Sequence, residues 1–161
     1  MRKPDALRAF LAGTVRGLAD NPDRLHIFID QGRIAKTGTP SPSFEYRYRL
    51  NVILTDFGAS PDTVMVPLLV WIASEQPQLL DADGHEPFRF EADILDNSKV
   101  DLSIELELSE VVVVTPRAGG GFDVTHPPEP AYDAPFEDLP DPTMLWRIDL
   151  GDETLLPPIA P

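Results

Sequence analysis

The pattern of apolar and polar positions is clearest in the middle of the chain, where the two kinds of residue alternate. Between residues 44 and 54 an apolar or aromatic side chain occupies every second position. These positions are Phe44, Tyr46, Tyr48, Leu50, Val52 and Leu54. A period of two over this length predicts a long strand in an antiparallel sheet, with one face buried.

Two further alternating runs cover residues 88–94 and 100–108, with the turn residues Asp96-Asn97-Ser98 between them. They predict a β-hairpin. Glu110 occupies a position where the alternation requires an apolar residue. We therefore expect a β-bulge or bend at 109–111, ahead of the next apolar run.

Shorter signals complete the strand pattern. Residues 25–29 predict a strand that ends in a turn at Gln31-Gly32. Three consecutive glycines, residues 119–121, predict a turn into a last strand near residues 122–124.

Two segments carry helical patterns instead. Residues 4–19 have apolar side chains at helical spacing, with Pro4 in the first turn, and the pattern ends at Asn21-Pro22. A second helix should begin after Ser60 and end by Gln76-Pro77. It is apolar around most of its circumference, which predicts deep burial across the sheet. The order of elements favours an α+β fold, in which two helices pack on one face of a mainly antiparallel sheet.

Composition changes along the chain and predicts two parts. Residues 127–161 contain eight acidic residues, one basic residue and nine of the 18 prolines. We expect an α+β body at residues 1–126 and an extended, Pro-rich acidic C-terminal arm at residues 127–161. Within the arm, residues 145–156 could form a small hairpin that docks on a neighbour.

Overall charge and residue usage exclude several classes of function. A formal net charge of −14 in 161 residues disfavours direct binding to nucleic acid, because the phosphate backbone would be repelled. The absence of cysteine removes thiolate catalysis and cysteine-ligated metal. No apolar run approaches the roughly 18 residues of a membrane span. We expect a soluble protein made in the cytosol, with no membrane partner.

Candidate chemistry is sparse. The three histidines, His26, His85 and His126, lack the spacing of a zinc site, so solvated or structurally satisfied histidines are the favoured interpretation and no cofactor or metal is expected. Glu105 and Glu107 project from one side of a strand, about 7 Å apart, as paired glycosidase carboxylates can be. A solvated strand face predicts the same pattern. Phosphate-binding and nucleophile-elbow motifs are absent, and a non-enzymatic protein is the prediction.

The polar faces of two predicted strands carry opposite charge and are the candidate assembly interface. Its residues are Glu45, Arg47, Arg49, Asp101, Glu105 and Glu107. Complementary pairing across strands could occur within one chain or between subunits. Two solvated faces with weak surface pairs are the alternative.

Ten short segments over residues 1 to 110 share their order and spacing with one family. They are Lys3-Pro4-Asp5 with Leu7-Arg8, Asn21-Pro22-Asp23, Ile27-Phe28 with Asp30 and Gly32, Ser43-Phe44-Glu45 with Arg47-Tyr48, Leu50-Asn51-Val52-Ile53, Thr55-Asp56-Phe57, Val66-Pro67, Gln76-Pro77, Ala92-Asp93-Ile94 and Ser103-Ile104. On these segments the chain resembles the tail completion protein R (GpR) family of P2-like phages.

The resemblance implies a structural protein that finishes the tail of a contractile-tailed phage at its head-proximal end. By analogy with tail terminators, it implies a ring of copies, expected to be a hexamer, that caps the tail tube or sheath and enables head joining. The implied partners are other copies, tube or sheath subunits, and head–tail connector proteins. The implied location is the virion tail, assembled in the bacterial host cytoplasm. No catalytic residues come with the resemblance.

Other functions stay open at this point. A head–tail connector adaptor would also be a small oligomeric protein, but it would bind the portal side. A phage-derived contractile bacteriocin could use the same subunit. A hydrolase that uses Glu105 and Glu107 is the alternative from a different class.

Overall fold

A computed structural model describes residues 1–36, 38, 40–81, 86–95, 99–130 and 148–156, with side chains up to residue 154. Two helices and seven strands follow one another along these residues. In chain order they are α1 Lys3–Thr14, β1 Leu25–Ala35, β2 Phe44–Phe57, α2 Asp62–Glu75, β3 Arg89–Ile94, β4 Val100–Pro116, β5 Phe122–Thr125, β6 Ile148–Leu150 and β7 Glu153–Leu156. Short 3-10 turns at Pro22–Arg24 and Pro77–Leu79 precede β1 and follow α2.

The main sheet has the strand order β1-β2-β4-β3, and every neighbouring pair is antiparallel. Strand β5 pairs with the distal end of β4, which extends beyond the other strands. The sequence predicted a turn at Gln31-Gly32, but β1 continues through these residues. A bulge there shifts the register between Asp30 and Arg33, and Gln31 adopts a positive φ of 52°. The extra residue changes which side chains of β1 face the helices.

Both helices pack on one face of this sheet, which confirms the predicted α+β class. Leu7 and Leu11 of α1 are fully buried, as are Leu68 and Ile72 of α2. They share one core with the even-numbered apolar residues of the two central strands. Those sheet residues are Leu50, Val52, Leu54, Leu102, Ile104 and Leu106. The alternation in the sequence therefore does mark the buried face of β2 and β4.

The helix ends follow local chemistry. Helix α1 ends at Thr14, although the apolar pattern continues to Leu18, because the chain leaves the helical conformation and Gly17 takes a φ of 82°. Helix α2 begins two residues after Ser60, whose Oγ accepts the N–H of Asp62 at 3.3 Å. It contains Pro67 and ends before Gln76, as the sequence predicts.

Strand β3 confirms the predicted hairpin with β4, but its apolar side chains are not covered. Phe90 and Ile94 are 57% and 83% exposed. In the β3–β4 register Phe90 lies opposite Ile104, which is fully buried under the helices. The helices therefore cover β2 and β4 and stop short of β3.

The bulge expected at 109–111 is wrong. Pairing between β2 and β4 continues without a shift from Leu54 opposite Leu102 to Phe44 opposite Val112, so Glu110 stays on the helix side. Its side chain is buried, with 4% exposed. A buried carboxylate is tolerated there because polar partners surround it, as the next section describes.

The end of the chain is described in two pieces. After the turn at Gly120 and Gly121, β5 leads into residues 126–130, which return to the helix side. Residues 148–156 form a hairpin with Gly151 at its turn, within the region where a hairpin was predicted. The rest of the predicted arm, like His85, lies outside the described residues. No helix in the described ranges combines the length and apolar character that crossing a membrane requires.

Candidate assembly surface

The sheet face that points away from the helices, here called the open face, holds all six predicted interface residues. Odd-numbered residues of β2 lie opposite odd-numbered residues of β4, as Arg49 does with Glu107 and Asn51 with Glu105. Even-numbered residues of both strands point to the helices. One face therefore collects Glu45, Arg47, Arg49, Asp101, Glu105 and Glu107.

Ion pairs within the chain already use part of this charge. Arg49 Nε donates to Glu107 Oε1 at 2.9 Å across the two strands, and this hydrogen bond with the carboxylate raises the pKa of Arg49. Arg47 pairs with Glu45 of its own strand at 2.7 Å. Complementary pairing across strands therefore occurs inside one subunit at Arg49 and Glu107.

The remaining two predicted residues are arranged differently. Asp101 Oδ1 accepts the backbone N–H of Asp56 at 2.8 Å and so supports the irregular end of β2. Glu105 is exposed on β4, with Arg89 opposite it in the register of β3. Arg49 and Arg89 line one groove together with Glu105 and Glu107. Both carboxylates are exposed and face arginines, so the geometry does not favour the glycosidase interpretation.

Charge is distributed unevenly over the open face. The β1 and β2 side holds three arginines, and the β4 and β3 side holds five carboxylates. These are Arg33, Arg47 and Arg49 on the first side, and Asp101, Glu105, Glu107, Glu91 and Asp93 on the second. Asp30, Glu45 and Arg89 are the exceptions. The face therefore has a basic half and an acidic half.

Sequence reasoning missed a second polar site, buried on the helix side around Glu110. Its Oε2 accepts the N–H of Arg2 at 2.7 Å, and its Oε1 accepts the hydroxyl of Tyr48 at 2.5 Å and the N–H of Lys3 at 3.4 Å. The carboxylate thus caps the start of α1, where free N–H groups and the helix dipole favour negative charge. Burial and the neighbouring Glu110 raise the pKa of Tyr48.

Lys3 extends this buried site to residues 126–130, the first part of which ends the predicted body and the rest of which begins the predicted arm. Its Nζ donates to Gln76 Oε1 at 2.7 Å and forms an ion pair with Glu129 Oε1 at 2.6 Å. Gln76 Oε1 also accepts the N–H of Ser109 at 3.1 Å. The start of α1, the residue after α2, strand β4 and residues 126–130 are therefore joined at one point. A single charged residue interrupting a strand alternation was the one sequence signal for this network.

The histidines make no metal site in the described part of the chain. His126 Nδ1 lies 3.7 Å from Glu110 Oε2, beside a cavity of about 210 Å³, whereas His26 is on the exposed side of β1. No group of three histidine or carboxylate side chains converges among the described residues.

Comparison with known proteins supports the family suggested by the sequence. The model of the P2 phage tail completion protein R (GpR) family matches residues 1–130. Tail completion protein R of Escherichia phage P2 is 43% identical over 134 residues, which cover 81% of this chain and 86% of that protein. No solved structure gives a significant match.

The class of this molecule is therefore a structural α+β protein of phage tail completion. The chain belongs to the P2 phage tail completion protein R family. The predicted family is thus confirmed, and the match includes α1, α2 and strands β1 to β5.

Proposed function

We propose that this protein completes the head-proximal end of a contractile phage tail. Several copies form a closed ring, expected to be a hexamer, which caps the tail tube or sheath, stops its growth and presents a surface for joining the head. The protein is a component of the virion tail and assembles in the bacterial host cytoplasm. The role requires binding surfaces and no catalysis.

The observation that carries this proposal is the family match together with the one-sided cover of the sheet. Helices bury one face, while Arg47, Glu105 and Glu107 on the open face are exposed, as are most residues of the edge strands β1 and β3. An unpaired strand edge can template pairing with another chain, and uncovered apolar side chains can mark an interaction surface. A capping protein needs such surfaces twice, once for its own copies and once for the last layer of the tail.

The open face is the surface proposed to contact the tail layer or neighbouring copies. Its charges are partly neutralised within the subunit, as between Arg49 and Glu107. Charged groups at such a contact fix orientation and exclude wrong partners more than they add affinity. Such selectivity suits a protein that must bind one end of a polymer and prevent a further layer from adding.

Imaging of tails tests the function directly. Tails assembled with and without this protein are compared by negative-stain microscopy, and their lengths are measured. We expect uniform, capped tails with the protein and overlong or unstable tails without it. Normal free tails that fail to join heads would contradict capping and support a head–tail connector adaptor. The same comparison in a contractile bacteriocin producer, which makes no heads, determines whether capping alone is required.

A charge reversal tests the open face. Replacing Arg47 and Arg49 by glutamate opposes Glu107 with a like charge and reverses the basic half of the face. We expect tails made with this double variant to lose their uniform length. Arg16→Glu on exposed surface before β1 is a matched single-charge control that should leave the tails normal. If the double variant folds and tail length is unchanged, the open face is not the contact surface.

A further inference from the structure

Both edges of the main sheet lack a partner strand in the part of the chain that the structure describes. Strand β1 forms one edge and β3 forms the other. Because all four strands alternate in direction, β1 and β3 run in opposite directions. A second copy placed beside the first could therefore add its β1 to β3 and continue the antiparallel sheet, with its helices on the same side.

Each edge also has uncovered apolar side chains on the helix side. Phe90 and Ile94 are more than half exposed at the β3 edge. Ile34 is 64% exposed at the β1 edge. Its partner in β2 is Tyr46, which packs against the core, so Ile34 lies on the same side as Phe90 does. Unpaired edges can pair with another chain, although a bulge or charge weakens that tendency. The bulge of β1 lies between Asp30 and Arg33, and the strand is regular again from Arg33 to Ala35.

Each edge has a charged residue on the open face that the subunit leaves unpaired, and the two charges have opposite sign. On the open face Arg33 of β1 lies opposite Arg47, and Asp93 of β3 lies opposite Asp101. Like charges placed directly opposite each other in a sheet are unfavourable. Arg33 and Glu91, both exposed, have no ion-pair partner within the described residues. An acidic residue of another copy placed opposite Arg33 would relieve the imbalance between Arg33 and Arg47.

We infer that the β1 edge of one copy binds the β3 edge of the next copy, head to tail, with Arg33 opposite Glu91. This register also sets Ile34 opposite Phe90 on the helix side, because opposite residues of an antiparallel pair share a face. Asp93 then lies two residues further along β3, beside the bulge of β1. The same contact repeated by rotation closes a ring, as heterologous interfaces do. This inference names the contact between copies in the proposed function and rests on it.

Cysteine cross-linking tests the contact, since the chain contains no cysteine. Full-length Ile34→Cys/Phe90→Cys protein is incorporated into tails and oxidised, and the products are separated on a denaturing gel. We expect a ladder of linked multimers that reduction returns to monomer. Within one copy the two positions are three strand spacings apart, about 14 Å, which is too far for a disulfide. Each single variant is the matched control and should remain unlinked.

A charge swap tests the register. Arg33→Glu and Glu91→Arg, made singly, place like charges at the contact and should weaken association about tenfold, measured by sedimentation at several concentrations. The double variant restores opposite charges between copies and should recover association. The two residues are on opposite edges of one subunit, so this rescue cannot arise inside a single chain. Arg16→Glu and Asp20→Arg are exposed charge controls that should have no effect.

Three results would overturn the inference. The first is completed tails without linked multimers, in which case another segment or partner covers β3 while the proposed capping role stands. The second is dimers from Phe90→Cys alone, which would mean that two β3 edges meet symmetrically. The third is a double charge variant that remains as weak as the single ones. If tails are uniform even without the protein, the capping role fails, whatever the cross-links show.

Discussion

Glu107 and Glu110 are two glutamates on one strand whose surroundings could hardly differ more. Glu107 is on the open face, 65% exposed, and has one arginine partner. Glu110 is on the helix side, 4% exposed, and accepts hydrogen bonds from Tyr48 and from the first N–H groups of α1. The Glu107 carboxylate exchanges water for an ion pair, which adds little to the free energy of unfolding. Loss of the Glu110 carboxylate would leave buried polar groups without hydrogen-bond partners, which is costly. Loss of Glu110 should therefore lower stability far more than loss of Glu107.

The sharpest test of this comparison is removal of the buried carboxylate. Glu110→Ala leaves the Tyr48 hydroxyl and two backbone N–H groups without acceptors, so we expect a loss of about 3 kcal/mol in the free energy of unfolding. Urea denaturation of the full chain measures it. Glu110→Gln keeps the shape and one acceptor oxygen and should lose about half as much. An equal loss in both variants would show that the charge, not the acceptor, is what α1 requires.

Tyr48 gives a smaller effect that depends on pH. Tyr48→Phe removes one hydrogen bond to Glu110 and should cost about 1.5 kcal/mol near neutral pH. The pKa of Tyr48 is raised above its ordinary value of 10.0, so the folded protein keeps the phenol protonated where the unfolded chain ionises. The contribution of Tyr48 is complete below pH 10 and declines as the pH rises further. Denaturation curves at pH 8 to 11 should therefore converge for the two proteins; parallel curves would contradict this.

The smallest effect is expected on the open face. Glu107→Gln breaks the exposed pair with Arg49, and we expect no measurable change in the denaturation midpoint at physiological salt, because solvent and ions screen such pairs. Tail assembly is the informative measurement for this variant. A midpoint shift comparable to that of Tyr48→Phe would remove the distinction between the two faces.

Most of the fold could be predicted from the sequence, because β2, β4 and the two helices bury regular apolar patterns. The alternation in β3 was equally regular, yet Phe90 and Ile94 are exposed, since a period of two shows which side chains share a face and not what covers that face. The bulge expected around Glu110 was wrong for a related reason. An acid in an apolar position indicates either a shifted strand or a buried partner, and its partners Arg2, Lys3 and Tyr48 are distant in sequence.

The candidate assembly surface could also be predicted only in part from the sequence. Placing Arg49 and Glu107 on one face required only strand periodicity, which the sequence provides. Recognising Arg33 as an uncompensated charge required the bulge after Asp30, because that bulge brings Arg33 opposite Arg47. The local sequence has no signal strong enough to predict the shift.

The link between Lys3 and Glu129 also has a kinetic consequence. It joins residues 126 positions apart, and the contact of Arg2 with Glu110 spans 108. Closing such long loops is entropically costly before the sheet exists, so these contacts should form late in folding. Interactions absent from the folding transition state slow unfolding rather than speed folding. The contacts of Lys3 with Glu129 and of Arg2 with Glu110 would then lower the unfolding rate, and so lengthen the time that a free subunit stays folded before a tail incorporates it.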